Sequence, residues 1–168
     1  PFIPFFEQLK APYGKYSVLG NHDYGEYVRW KSKDERTNNL DLLKSIQKEM
    51  GFQLLLNEHI VLTKDTDSIY IAGVENWGNP PFPQYGNLNK AIKEIDSEDF
   101  TILLSHDPTH WREEVLASPT SIELTLSGHT HGMQMGVNIP WLKWSPVKYI
   151  YPKWAGLYEE LGQKLYVN

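Results

Sequence analysis

Three apolar runs in this chain end in residues that ligate metals or move protons, and that repetition constrains the fold more than any other feature. Residues 16–19 run into Gly20-Asn21-His22-Asp23. Residues 101–104 run into Ser105-His106-Asp107-Pro108. Residues 122–127 run into Gly128-His129-Thr130-His131-Gly132. A short apolar run closed by turn residues reads as a strand buried in an α/β sheet. In such sheets, sites gather at the carboxyl ends of the strands. Four of the six histidines stand at these three ends. One such run is an ordinary coincidence; three are not.

The third run is the most telling. Two imidazoles flank a single threonine inside a glycine-bracketed turn. Neutral imidazole is the commonest protein ligand for transition metals, and glycine lets a backbone bend sharply beside a bound ion. The competing reading is a surface loop that happens to hold two histidines. The recurrence of ligand types at Asn21 and His106 weighs against it.

Composition sets the bounds. A chain of 168 residues with 40% apolar content is long enough for one domain with a real core. No apolar run approaches the roughly 18 residues of a membrane-spanning helix. Without cysteine there is no disulfide framework and no thiolate metal site. A net charge of −5 gives no broad field for tracking along nucleic acid. A local metal cluster would still attract phosphate, because bound cations dominate the nearby field.

Periodicity and turn residues predict helices over 4–10, 38–50, 87–95 and 109–117. They predict strands over 16–19, 53–57, 59–63, 68–74, 100–105, 121–127 and 163–167. Asn39 is the expected cap of the second helix and Gly51 its stop. Asn79-Pro80-Pro81-Phe82-Pro83 reads as a stiff loop. From Met133 onward the chain reads as irregular and aromatic, interrupted by Pro140, Pro146 and Pro152. Strand-helix-strand units mixed with hairpins point to a packed α/β sandwich.

The blocks Gly20-Asn21-His22-Asp23, Ser105-His106-Asp107 and Gly128-His129-Thr130-His131 resemble the later motifs of the calcineurin-like metallophosphoesterases. The stretches 103–111 and 127–134 are most similar to the bacterial branch associated with membranes or the wall. The resemblance covers residue 16 to the end and implies the family's sandwich of mixed sheets flanked by helices. The family's earlier Asp-x-His and Gly-Asp blocks do not occur before Gly20. A strand-helix-strand unit needs about 30 residues. The expectation is therefore one metallophosphoesterase domain over 1–168, forming the C-terminal portion of a longer domain and incomplete at its N-terminus.

By that resemblance, Asn21, His106 and His129 ligate one divalent metal and His131 a second. The other ligands of the second ion would belong to the upstream blocks. Mn, Zn, Fe and Co all suit these donors. His22 would contact the phosphate and assist the leaving group, and Asp23 would orient His22 by accepting its other ring proton. The implied activity is hydrolysis of a phosphomonoester or phosphodiester by metal-bound hydroxide. A nuclease, a nucleotide-lipid pyrophosphatase and a noncatalytic interaction module like the retromer scaffold subunit are the alternatives. The implied substrate is a phosphorylated small molecule or a lipid-linked one rather than nucleic acid. The implied location is bacterial cytoplasm or membrane, with attachment through a preceding segment.

Other residues read more plainly. Asp107 before Pro108 suggests a helix cap. His110 falls on the first turn of a helix, and His59 in a strand, as packing or surface residues. Met133 stands where the bacterial branch has a second glycine. Trp141, Trp144, Tyr149, Tyr151, Trp154 and Tyr158 read chiefly as cover for the core, with a substrate wall or membrane-interface belt as the alternatives.

Overall fold

The core sits on a six-stranded mixed sheet in the computed structural model, which describes residues 2–131 and 134–168. The strands of this sheet are β3 (Glu58–Lys64), β4 (Asp67–Gly73), β5 (Thr101–Leu104), β6 (Leu124–Ser127), β9 (Gly156–Glu160) and β10 (Gln163–Val167), in the order β3-β4-β5-β6-β10-β9. The central strands β4, β5, β6 and β10 are parallel, and each edge strand joins antiparallel through a hairpin. A parallel pair, β1 (Tyr16–Ser17) with β2 (Gln53–Leu54), lies beside this sheet. β7 (Val137–Ile139) and β8 (Leu142–Trp144) form a separate ribbon. This mixed α/β architecture, sheets flanked by helices, is the one expected.

Among the described residues, four helices accompany the strands: α1 (Ile3–Glu7), α2 (Lys33–Glu49), α3 (Leu88–Ala91) and α4 (Thr109–Glu113). Ala72, Val74, Leu103, Leu165 and Val167 from the sheet pack against Leu88, Ala91, Ile92, Trp111 and Val115. Burying each large side chain of this kind contributes roughly 1.5–3 kcal/mol. The β1–β2 pair is brought close at Gly73, where an added Cβ would stand 2.5 Å from Leu55 and 2.9 Å from Val18.

Several boundaries differ from those predicted. α2 starts at Lys33, because Ser32 rather than Asn39 caps it: the Ser32 hydroxyl accepts the Glu35 N–H at 3.1 Å. Asp34 and Glu35 then occupy the first turn, where the helix dipole favours negative charge. The 87–95 and 109–117 helices shorten to single turns, the second continued by a 3-10 turn over Val115–Ala117. The region after Met133 is more regular than expected, holding the β7–β8 ribbon and β9. Their pairing partners lie outside the short windows in which periodicity is read.

Candidate metal centre

Backbone hydrogen bonding carries the first two histidines together. β5 and β6 pair in parallel with Leu104 opposite Leu126. The ladder continues past their ends, through Ser105 N–H to Leu126 O at 3.1 Å and Gly128 N–H to His106 O at 3.0 Å. His129 follows at the apex of a three-residue turn closed by Thr130 N–H to Gly128 O at 2.7 Å. Its φ of 66° is left-handed, a strained setting for a non-glycine residue and one that clusters at functional sites. Thr130 anchors the turn from below, its hydroxyl donating to Trp154 O at 2.7 Å.

Asn21 arrives from β1. It opens a 3-10 turn over Asn21–Tyr24, which Gly20 precedes in extended conformation. Asp23 accepts the Gly20 N–H at 2.7 Å through Oδ2. The expected link from Asp23 to the His22 ring is not formed among the described residues, because this carboxylate folds back onto its own turn. Gly20 also has a steric role, since a Cβ there would stand 2.7 Å from the His106 ring.

Three donor atoms converge. Asn21 Oδ1 is 3.0 Å from His106 Nε2 and 3.1 Å from His129 Nδ1, and the two ring nitrogens are 3.3 Å apart. Ligands at 2.0–2.1 Å from a tetrahedral ion stand about 3.3 Å from one another, so this spacing fits one face of a coordination shell. Among the described residues no group of three or more His, Cys, Asp and Glu could hold an ion. The trio reaches three donors because one of them is an amide.

The second layer was not foreseen. Asn21 Nδ2 donates to the Tyr27 hydroxyl at 2.7 Å, which turns Oδ1 toward the histidines. His129 Nε2 lies 2.6 Å from the Tyr151 hydroxyl and 3.4 Å from Asp107 Oδ2. Asp107 is fully buried. Its Oδ1 accepts the Thr109 N–H and hydroxyl from one position ahead of Pro108, the residue that caps α4 in place of the expected Asp107, while Oδ2 has no hydrogen-bond partner among the described residues. An orphaned carboxylate oxygen beside Nε2 favours a proton on that nitrogen. It leaves the Nδ1 lone pair directed at the cluster, the arrangement found behind metal-bound imidazoles. Phe82 meets the His129 ring edge-on at 4.8 Å.

Electrostatics keep the rings neutral. Burial, then the neighbouring His129, pushes His106 down to about 4. Burial, then His131 and His22, pushes His129 down to about 4. Burial raises Asp107 despite its bonds to Thr109, and burial with Asp107 raises Tyr151 to about 12. Neutral imidazoles have the free lone pairs a metal needs.

His22 and His131 stand at the rim. His22 is exposed and stacked on Tyr27 at 4.6 Å, and His131 is exposed with φ of 56°. Neither joins the trio by hydrogen bond among the described residues. Gly132 and Met133, with the reading of Met133 as a lost glycine, lie outside the described residues. His110 is wholly buried between Ser105, 2.9 Å away, and Glu114, 3.2 Å away. His59 contacts Ala91 O at 2.8 Å as a packing residue. The aromatic tail divides: Trp154 is buried, Tyr151 reaches the site, and Trp141 and Tyr149 face solvent. Tyr27 sits in no motif; only its closeness in sequence to Asn21 hinted at it.

The sequence pattern of the family described as calcineurin-like phosphoesterase matches residues 1–133. The chain belongs to this family. It is 30% identical to the uncharacterized metallophosphoesterase YkuE of Bacillus subtilis, over 99% of this chain and 52% of that protein. It is 32% identical to an uncharacterized metallophosphoesterase of Aquifex aeolicus, over 74% of this chain and 41% of the other. The same identity links it to a transmembrane protein with metallophosphoesterase domain from Danio rerio, over 76% and 28%. The chain thus spans about half the length, or less, of these relatives. Calcineurin-like phosphoesterases generally use divalent metals, and the convergent donors fit that chemistry.

Proposed function

We propose that this calcineurin-like chain serves metal-dependent hydrolysis of a phosphoester, with Asn21, His106 and His129 holding one divalent transition ion. The convergence of their three donor atoms within 3.0–3.3 Å carries this reading. A divalent ion supplies Lewis-acid polarisation of the phosphoryl oxygen and activation of water.

The chain's own residues do the rest. Tyr27 orients the Asn21 amide, while Asp107 and Tyr151 set the His129 tautomer. The half-buried Phe82 ring packs edge-on against His129 and shields that side of it. His22, exposed at the rim and braced by Tyr27, donates a proton to the leaving oxygen. His131 is left to ligate a second ion. Asp23 acts on the turn that carries His22 rather than on its ring.

The substrate is a phosphorylated small molecule or a lipid-linked phosphoester, since a net charge of −5 disfavours nucleic acid. The protein acts in the bacterial cytoplasm or at a membrane. Relatives named as transmembrane proteins with a metallophosphoesterase domain support the second.

The test is hydrolysis of bis(p-nitrophenyl) phosphate by the full protein with added Mn, for the natural sequence and for His129→Ala. Metal-dependent activity that His129→Ala abolishes supports the reading. Metal-dependent activity that survives His129→Ala rejects the assigned centre. Inactivity of both under every metal favours a binding module.

A further inference from the structure

Charge is distributed unevenly along this chain. It carries 21 acidic residues, yet none lies between Glu123 and Glu159, where Lys143, Lys148 and Lys153 stand. Three of the six tryptophans fall in the same stretch. The β7–β8 ribbon occupies its middle. Its register pairs Val137 with Trp144 and Ile139 with Leu142, so these four apolar residues share one face. All four are exposed, and Trp141 at the tip is 83% exposed. The turn over Pro146–Tyr149 extends the patch, with Tyr149 and Ile150 about three-quarters exposed and Lys148 Nζ 5.2 Å from the Tyr149 ring.

We infer that this ribbon and the following turn dock the protein on an anionic phospholipid surface. Tryptophan and tyrosine prefer the headgroup boundary, where an apolar ring and a polar tip are both satisfied. A contiguous exposed apolar patch marks an interaction site. Charge complementarity decides the occupant: the chain as a whole repels an anionic bilayer, whereas this acid-free stretch attracts one, at about 1 kcal/mol for a lysine near the surface such as Lys148. The attachment lies within residues 137–150. It also stands independently of the hydrolase reading, because none of the ribbon residues belongs to the metal centre.

The experiment is co-sedimentation of the full chain with vesicles of phosphatidylcholine alone and of phosphatidylcholine with an equal part of phosphatidylglycerol. The natural sequence sediments with the mixed vesicles, weakly with the neutral ones, and is released by salt. Lys148→Glu weakens binding about fivefold or more. Trp141→Ala with Leu142→Ala weakens it further, while Phe2→Ala with Phe5→Ala, an exposed pair at the cap and in the body of α1, leaves it unchanged. Unchanged melting temperatures show that the variants fold, as expected for side chains that cover no core. Equal sedimentation of the natural and Trp141→Ala forms overturns the inference. So does absence of binding to mixed vesicles, including the case in which sedimentation velocity shows a dimer that Trp141→Ala dissociates, since the patch is then a contact between copies.

Discussion

The His106 ring lies directly against the bare Cα of Gly20, so close that a Cβ there would stand 2.7 Å from Cε1 and Nε2. Backbone from the end of β1 and a side chain from the end of β5 thus share one space. Gly20→Ala must displace the imidazole. The expected result is a loss of about 1–3 kcal/mol of stability from overpacking, with metal affinity reduced at least tenfold. Chemical denaturation and calorimetric titration with Zn measure the two. Natural affinity in Gly20→Ala would show that His106 is no ligand.

Calorimetry with Mn or Zn should find about one tightly held ion per chain, because three donors meet at Asn21, His106 and His129 while His131 stands apart. His129→Ala should abolish that binding. Two tight ions per chain would place further ligands where none is described.

Asp107→Asn keeps an acceptor for Thr109 but removes the charge facing His129 Nε2. Partners behind a metal-bound histidine are worth 10–100-fold in metal affinity. That loss is expected, with secondary structure retained by circular dichroism. An unchanged dissociation constant would reduce Asp107 to a partner of Thr109.

His22→Ala should leave metal content intact and lower kcat of the metal-loaded protein by about 10²–10⁴, the range for a general acid. Because His22 is exposed, the melting temperature should hold. A variant that loses metal instead would move His22 into the ligand set.

In the metal-free chain, stability should fall as pH drops from 6.5 toward about 4. His106 and His129 are held near 4 when folded but titrate near 6.5 when unfolded, so within that window the unfolded chain binds more protons. Asp107, raised when folded, opposes this near the acid end. Urea unfolding in EDTA across this range measures the slope, and His129→Gln should flatten it. A slope of opposite sign would mean that the rings are charged in the folded state.

The two levels of information divide by range. Local apolar pattern was enough to locate the strands that deliver Asn21, His106 and His129, because a buried strand and the turn that ends it are written in a handful of consecutive residues. It was enough, too, for the mixed α/β class. It placed the start of α2 five residues late, since the Ser32 cap was masked by the polar first turns. It could not find β9 or the β7–β8 ribbon, whose stability comes from partners along the chain rather than from their own periodicity.

The chemistry of the centre was decided by the tertiary structure. Sequence supplied the ligand types, but only strand register put Gly128 beside His106 and so His129 beside both. Asp107 looked like a helix cap, but Pro108 holds that position and Asp107 Oδ1 binds the first residue of α4, Thr109. Its other oxygen acquires a role because folding buries it against a ring 22 residues farther along. Tyr27 and Tyr151 are ordinary aromatics until the fold presses their hydroxyls against Asn21 and His129. Donor identity is a property of single residues and survives in any order of reading. Distance, burial and tautomer are relations between residues far apart in the chain, and they exist only once the sheet has brought its strand ends together.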